Sequence, residues 1–113
     1  MTRDTVNRLC ADHAGATLDH KLGDGHDSWK VGGKLFAIVG AMGESVSVKT
    51  DSVETAQMLI DAGAAQKAAY LHKRWVAVPL DAAEDELRHR IHVSYDIIRA
   101  SLSKKAQAAL DQA

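Results

Sequence analysis

The residues best equipped for chemistry stand together in the stretch YLHKRWVAVPL, Tyr70 to Leu80, of this 113-residue chain. His72, Lys73 and Arg74 directly precede Trp75 and an apolar run. Lysine and arginine neutralise phosphates, and each such contact releases counterions from a nucleic acid. Trp75 could stack on a base, but a tryptophan heading a run of valine and alanine is more often part of a core. Side chains alternate along a strand, so if Lys73 points to one face, His72 and Arg74 point to the other.

A second constellation is His89, His92 and Asp96. Offsets of three and four place them along one helix face, and histidine with carboxylate suits zinc or iron. The same spacing also gives the four-apart pairs Asp85–His89 and His92–Asp96 of an ordinary solvated face. No other cluster supplies a further ligand at a recognisable spacing, so no metal is expected. His13, His20 and His26 fall in different elements. The triplet Ser94, Tyr95, Asp96 sits on a helix flank, where Ser94 and Tyr95 suit packing against a sheet, the hydroxyl of the tyrosine finding a partner at its rim. No nucleophile, base and orienting group can be named together, and no glycine-rich phosphate loop precedes a helix. The expectation is a protein that is not an enzyme and carries no cofactor.

The elements that must position these residues are legible from periodicity. Residues 3–14 place Val6, Leu9, Cys10 and His13 at helical spacing, with Gly15 as a stop. Gly and Asp at 23–25 mark a turn between short extended pieces. The sequence VGGK, 31–34, puts two glycines between apolar runs, the mark of a tight hairpin. Residues 40–44, GAMGE, make the next turn, and SVSVK alternates strictly with Val46 and Val48 on one face. The period then changes to 3.6, with Asp51 or Ser52 as cap, Val53, Ala56, Leu59 and Ile60 as the apolar stripe, and Gly63 at the end. RWVAVPL returns to strand, with Pro79 at a strand end or edge. Leu87, Ile91, Tyr95, Ile98 and Leu102 form one continuous helix face, and Ser103 is a break or fresh cap. Helices packed on one face of an antiparallel sheet give an α+β domain.

Composition sets outer bounds. A chain of this length fits one domain, 1–113. Apolar residues make up 46% and charged residues 26%, as in an ordinary folded domain. Fourteen basic against fifteen acidic residues leave a net charge of −1, a weak footprint for a generic nucleic-acid binder. The charge is uneven, however: residues 67–113 carry eight Lys and Arg against six Asp and Glu, so a local positive patch is open to the fold. The single cysteine, Cys10, reads as a buried apolar residue in a reducing compartment. Nothing resembles a secretory leader or a membrane span, so a cytoplasmic monomer is the default expectation.

The pieces WKVGGKLFAIV, VSVKT, YLHKRWVAVPL and IHVSYDIIRASLSKK, in that order, resemble the MmcQ/YjbR family over roughly residues 6–107. The resemblance implies a CyaY-like fold, the architecture also seen in frataxins, and a DNA-binding role through a double wing. By position, the wings would be the Gly32–Gly33 hairpin, offering Lys30 and Lys34, and the hairpin leading into Trp75, offering Lys67, His72, Lys73 and Arg74. Frataxin-type iron binding would need an acidic ridge on the first helix, which here has only Asp4 and Asp12, interleaved with Arg3 and Arg8. DNA is therefore the expected partner. The alternative is a non-enzymatic adaptor that meets a protein partner through an exposed apolar sheet face or edge.

Overall fold

A computed structural model describes residues 1–21, 25–69 and 71–111, so the expected turn at Gly23 and Asp24, and Tyr70, lie outside the described residues. Helix α1 (Arg3–Ala11) begins at Thr2, whose hydroxyl accepts the Thr5 N–H at 3.1 Å. It ends earlier than the periodicity suggested, because Asp12 caps it and the chain turns through Gly15. Strands β1 (Thr17–Asp19), β2 (Asp27–Val31), β3 (Lys34–Val39) and β4 (Ser45–Lys49) follow as an antiparallel meander. Helix α2 (Val53–Asp61) is capped by Ser52, whose hydroxyl accepts the Thr55 N–H at 3.0 Å. Then come β5 (Gln66–Lys67), β6 (Trp75–Pro79), α3 (Glu84–Ala100) and α4 (Lys104–Asp111), the last started by Ser103 accepting from Ala106 N–H.

The sheet order is β1-β2-β3-β4-β6-β5, every pair antiparallel. Strand β6 thus inserts beside β4, and β5 becomes the edge. Cross-strand partners share a face, so Trp29 with Ala37, Val39 with Val46, Val46 with Val78 and Val48 with Val76 form one continuous apolar face. Helices α1 and α3 cover it, and Leu87 and Ile91 of α3 are completely buried. Burying a side chain of this size is worth about 1.5–3 kcal/mol. In β3, Phe36 has no partner in the β2 register, and the resulting bulge puts Phe36 and Ala37, both fully buried, consecutively into the core.

Two contacts lock the helices to the sheet. Asn7 of α1 accepts the indole N–H of Trp29 at 2.8 Å and donates to Asp27 Oδ2 at 2.9 Å, which also receives Arg3 Nη1. Ser94 of α3 enters the sheet where β3 and β4 part. Its hydroxyl donates to the Phe36 carbonyl at 2.6 Å and accepts the Lys49 N–H at 2.8 Å. A fully buried side chain therefore completes the backbone ladder next to Lys49.

The β2–β3 hairpin turns through Gly32 and Gly33, both at positive φ. Gly32 is constrained a second time, since a Cβ there would lie 2.6 Å from Leu102 Cδ1. The α3–α4 junction thus packs directly onto the hairpin tip.

Candidate nucleic-acid interface

The structure divides the expected basic residues. Lys30 leaves the hairpin tip and pairs with Asp19 of β1, Nζ to Oδ2 at 3.0 Å. That ion pair holds the Asp19 carboxyl below its ordinary range: the Lys30 hydrogen bond contributes most, followed by the Lys21 N–H. Its charge is consequently answered within the molecule. Lys34 stays exposed at the tip and reaches Ser101 Oγ at 3.4 Å.

The second group surrounds β6. Residues 72–75 form a tight turn in which the Trp75 N–H donates to the His72 carbonyl at 2.8 Å and the Arg74 N–H to His72 Nδ1 at 3.2 Å. The expected alternation is not realised, because residues 72–74 lie in this turn and the strand begins only at Trp75, so His72 and Lys73 fall on the same side and Arg74 on another. Lys73 and His72 are exposed and line a recess of about 270 Å³ with Lys67, floored by Val53, Ile60, Leu71 and Trp75. Trp75 itself is only 8% exposed, so it anchors the strand and its ring is not free to stack on a base. Arg74 turns away from this recess. Its Nε donates to the Thr50 carbonyl at 3.3 Å and its Nη2 to the Asp51 carbonyl at 2.9 Å, pinning the guanidinium at the β4–α2 junction.

Arg74 there meets a cation that the sequence reading passed over. Lys49, half-buried at the end of β4, stands opposite Trp75 in the β4–β6 register. Burial lowers its ammonium's pKa, and the positive charges of Arg74 and Lys34 lower it further. Among the described residues, none of Lys34, Lys49, Lys67, Lys73 and Arg74 takes part in an ion pair. Asp51 lies close enough to Arg74 to feel its charge, its carboxyl being held below the ordinary range mainly by the Thr55 hydroxyl and in a smaller part by Arg74. Lys34, Lys49 and Arg74 thus come from three separate strand ends, and Lys49 is repelled by the other two. The only hint in the sequence was that Lys49 ends the polar row of SVSVK; its neighbours depended on which strand would pair with β4.

The remaining chemical candidates fall elsewhere. His92 Nε2 pairs with Asp96 Oδ2 at 3.1 Å, one of the two four-apart pairs the spacing suggested; Asp85–His89 is not among the ion pairs of the described residues. Tyr95 is buried and its hydroxyl donates to the Ala14 carbonyl at 2.6 Å. Exposed large apolar side chains are Met1, Leu18, Met42, Val53 and Met58, drawn from separate elements apart from the last two on α2. Among the described residues, no helix is long and apolar enough to cross a membrane.

The chain is thus a two-layer α+β domain in which, among the described residues, Lys34, Lys49 and Arg74 stand at strand ends outside any ion pair. The YjbR family model matches residues 11–97, and the chain belongs to that family. No curated protein matches it. A solved structure, that of Deinococcus radiodurans protein DR2400 with the domain DUF419, superposes with a TM-score of 0.86 at 21% identity, covering 97% of this chain and 88% of that one. At that identity the likeness speaks for the fold.

Proposed function

We propose that this YjbR-family domain binds the phosphate backbone of DNA at the end of the sheet where Lys34, Lys49 and Arg74 converge, with Lys67, His72 and Lys73 along the adjoining recess. The observation that carries the reading is the placing of Lys49 beside two further cations, none of the three taking part in an ion pair among the described residues. Like charges held together cost folding free energy, and a phosphate oxyanion between them relieves that cost while releasing its counterions. Lys30 contributes little, being already paired with Asp19. Contacts of this kind position a protein on the duplex without reading its sequence.

The test is a titration of labelled duplex DNA with the purified protein at several salt concentrations. Binding that weakens steeply with salt supports the reading. A salt-independent affinity, or no complex at low salt, overturns it and leaves the adaptor role, which pull-down against a defined protein partner would then address.

A further inference from the structure

On another part of the molecule, α1 and α3 flank an open recess of about 640 Å³ that includes His13, His92 and Asp96. The two imidazoles approach one another across it, His13 Nε2 to His92 Nδ1 at 3.3 Å, with ring planes inclined by 28°. Each ring is oriented through its other nitrogen. His13 Nδ1 lies 3.0 Å from the Leu9 carbonyl, an acceptor only, so this nitrogen carries the proton and Nε2 is left bare. His92 Nε2 faces the Asp96 carboxylate at 3.1 Å, which fixes the proton there as well. The two remaining nitrogens, His13 Nε2 and His92 Nδ1, then face one another across the gap.

We propose that this pair is a two-histidine clip for a zinc ion that sits between these two nitrogens. Two imidazole nitrogens bound at about 2.0–2.1 Å to a tetrahedral zinc ion stand about 3.3–3.4 Å apart, matching the separation found. A metal-bound histidine characteristically gives its second N–H to a carboxylate or a backbone carbonyl. Both acceptors are already in place here, Asp96 for one ring and Leu9 for the other. Among the described residues, no group of three or more His, Cys, Asp or Glu is arranged to hold a metal. The clip therefore supplies two ligands and water from the open recess supplies the rest. This inference is independent of the nucleic-acid reading and uses none of its residues.

The test is calorimetric titration of the tag-free protein with zinc. One ion per chain is expected. His92→Gln lies on an exposed helix face and should weaken binding at least about tenfold; Asp96→Asn should cost about tenfold through lost orientation of the ring. His20→Gln, exposed and outside this recess, serves as the control and should leave affinity unchanged. Because His13→Gln also removes a contact to the end of α1, His13 is better examined in the wild type, where imidazole ¹⁵N shifts should move at His13 Nε2 and His92 Nδ1 on adding zinc. Equal affinity of wild type and His92→Gln, shifts confined to other histidines, or no binding in large excess of zinc would each overturn the proposal.

Discussion

Replacing Lys49 by methionine tests the phosphate reading through two effects of opposite sign. Methionine keeps an unbranched apolar stem of similar reach and removes only the charge. In the folded protein that charge is disfavoured by burial first, then by Arg74 and Lys34. A lysine whose folded pKa is depressed weakens the native state while it is protonated. This cost is present at neutral pH and disappears as pH rises past the folded value toward the unfolded value of about 10.4. Lys49→Met should therefore melt at or above the wild-type temperature near neutral pH, and the gap should close in alkali. DNA binding should move the other way. With three neutralised phosphates, log K against log salt slopes about −2.7, so a fourfold rise in salt weakens binding about 40-fold. Removing one contact brings the slope to about −1.8 and the loss to about 12-fold. Fluorescence anisotropy with a labelled duplex measures both slopes, and differential scanning calorimetry the melting temperatures. An unchanged slope in a folded Lys49→Met variant refutes the assigned contact. A lower melting temperature near neutral pH refutes the electrostatic argument behind it.

Further expectations concern the frame that holds the site. Ser94→Ala strands the Phe36 carbonyl and the Lys49 N–H in a buried position and should cost about 1–3 kcal/mol, read from urea unfolding; a change well under that range would mean water or backbone movement replaces the hydroxyl. Burial pushes the Cys10 thiol up to about 12, so a thiol reagent at mildly alkaline pH should label native protein only as fast as it unfolds, and rapid labelling would contradict the packing of α1. Asp19 has its pKa lowered chiefly by the Lys30 hydrogen bond. A depressed carboxylate stabilises above its unfolded pKa of about 3.9 and loses that contribution as pH falls through its folded value. Lys30→Met should consequently be less stable than wild type at neutral pH, with the difference vanishing in acid, followed by unfolding at stepped pH; a difference that persisted undiminished in strong acid would show that the ion pair is not its source.

Arg74 shows how tertiary contacts revise a sequence argument about the site. The sequence places it among the basic residues of the second wing, as a contact to phosphate. Its guanidinium in fact ties β6 to the Thr50 and Asp51 carbonyls, so Arg74→Ala would confound binding with stability. Lys73, exposed and without an ion-pair partner among the described residues, is the cleaner substitution. Lys30 differs for a similar reason: its neighbour across β1–β2 is set by register, Thr17 opposite Lys30, which brings Asp19 within reach.

By itself the sequence determined the local elements, because each rests on interactions within a few residues. Two adjacent glycines make the β2–β3 turn, Ser52 caps α2, Ser103 starts α4, and strict alternation puts Val46 and Val48 on one face. The ordered set of these pieces was enough to indicate the α+β fold and the family. Only the tertiary structure decided which strand lies beside β4, and with it every long-range neighbour: Lys49 against Arg74 and Lys34, Ser94 in the gap between β3 and β4, His13 against His92. Strand order and helix docking follow from the joint packing of all apolar faces into one core. That is a property of the whole chain, and no local spacing encodes it.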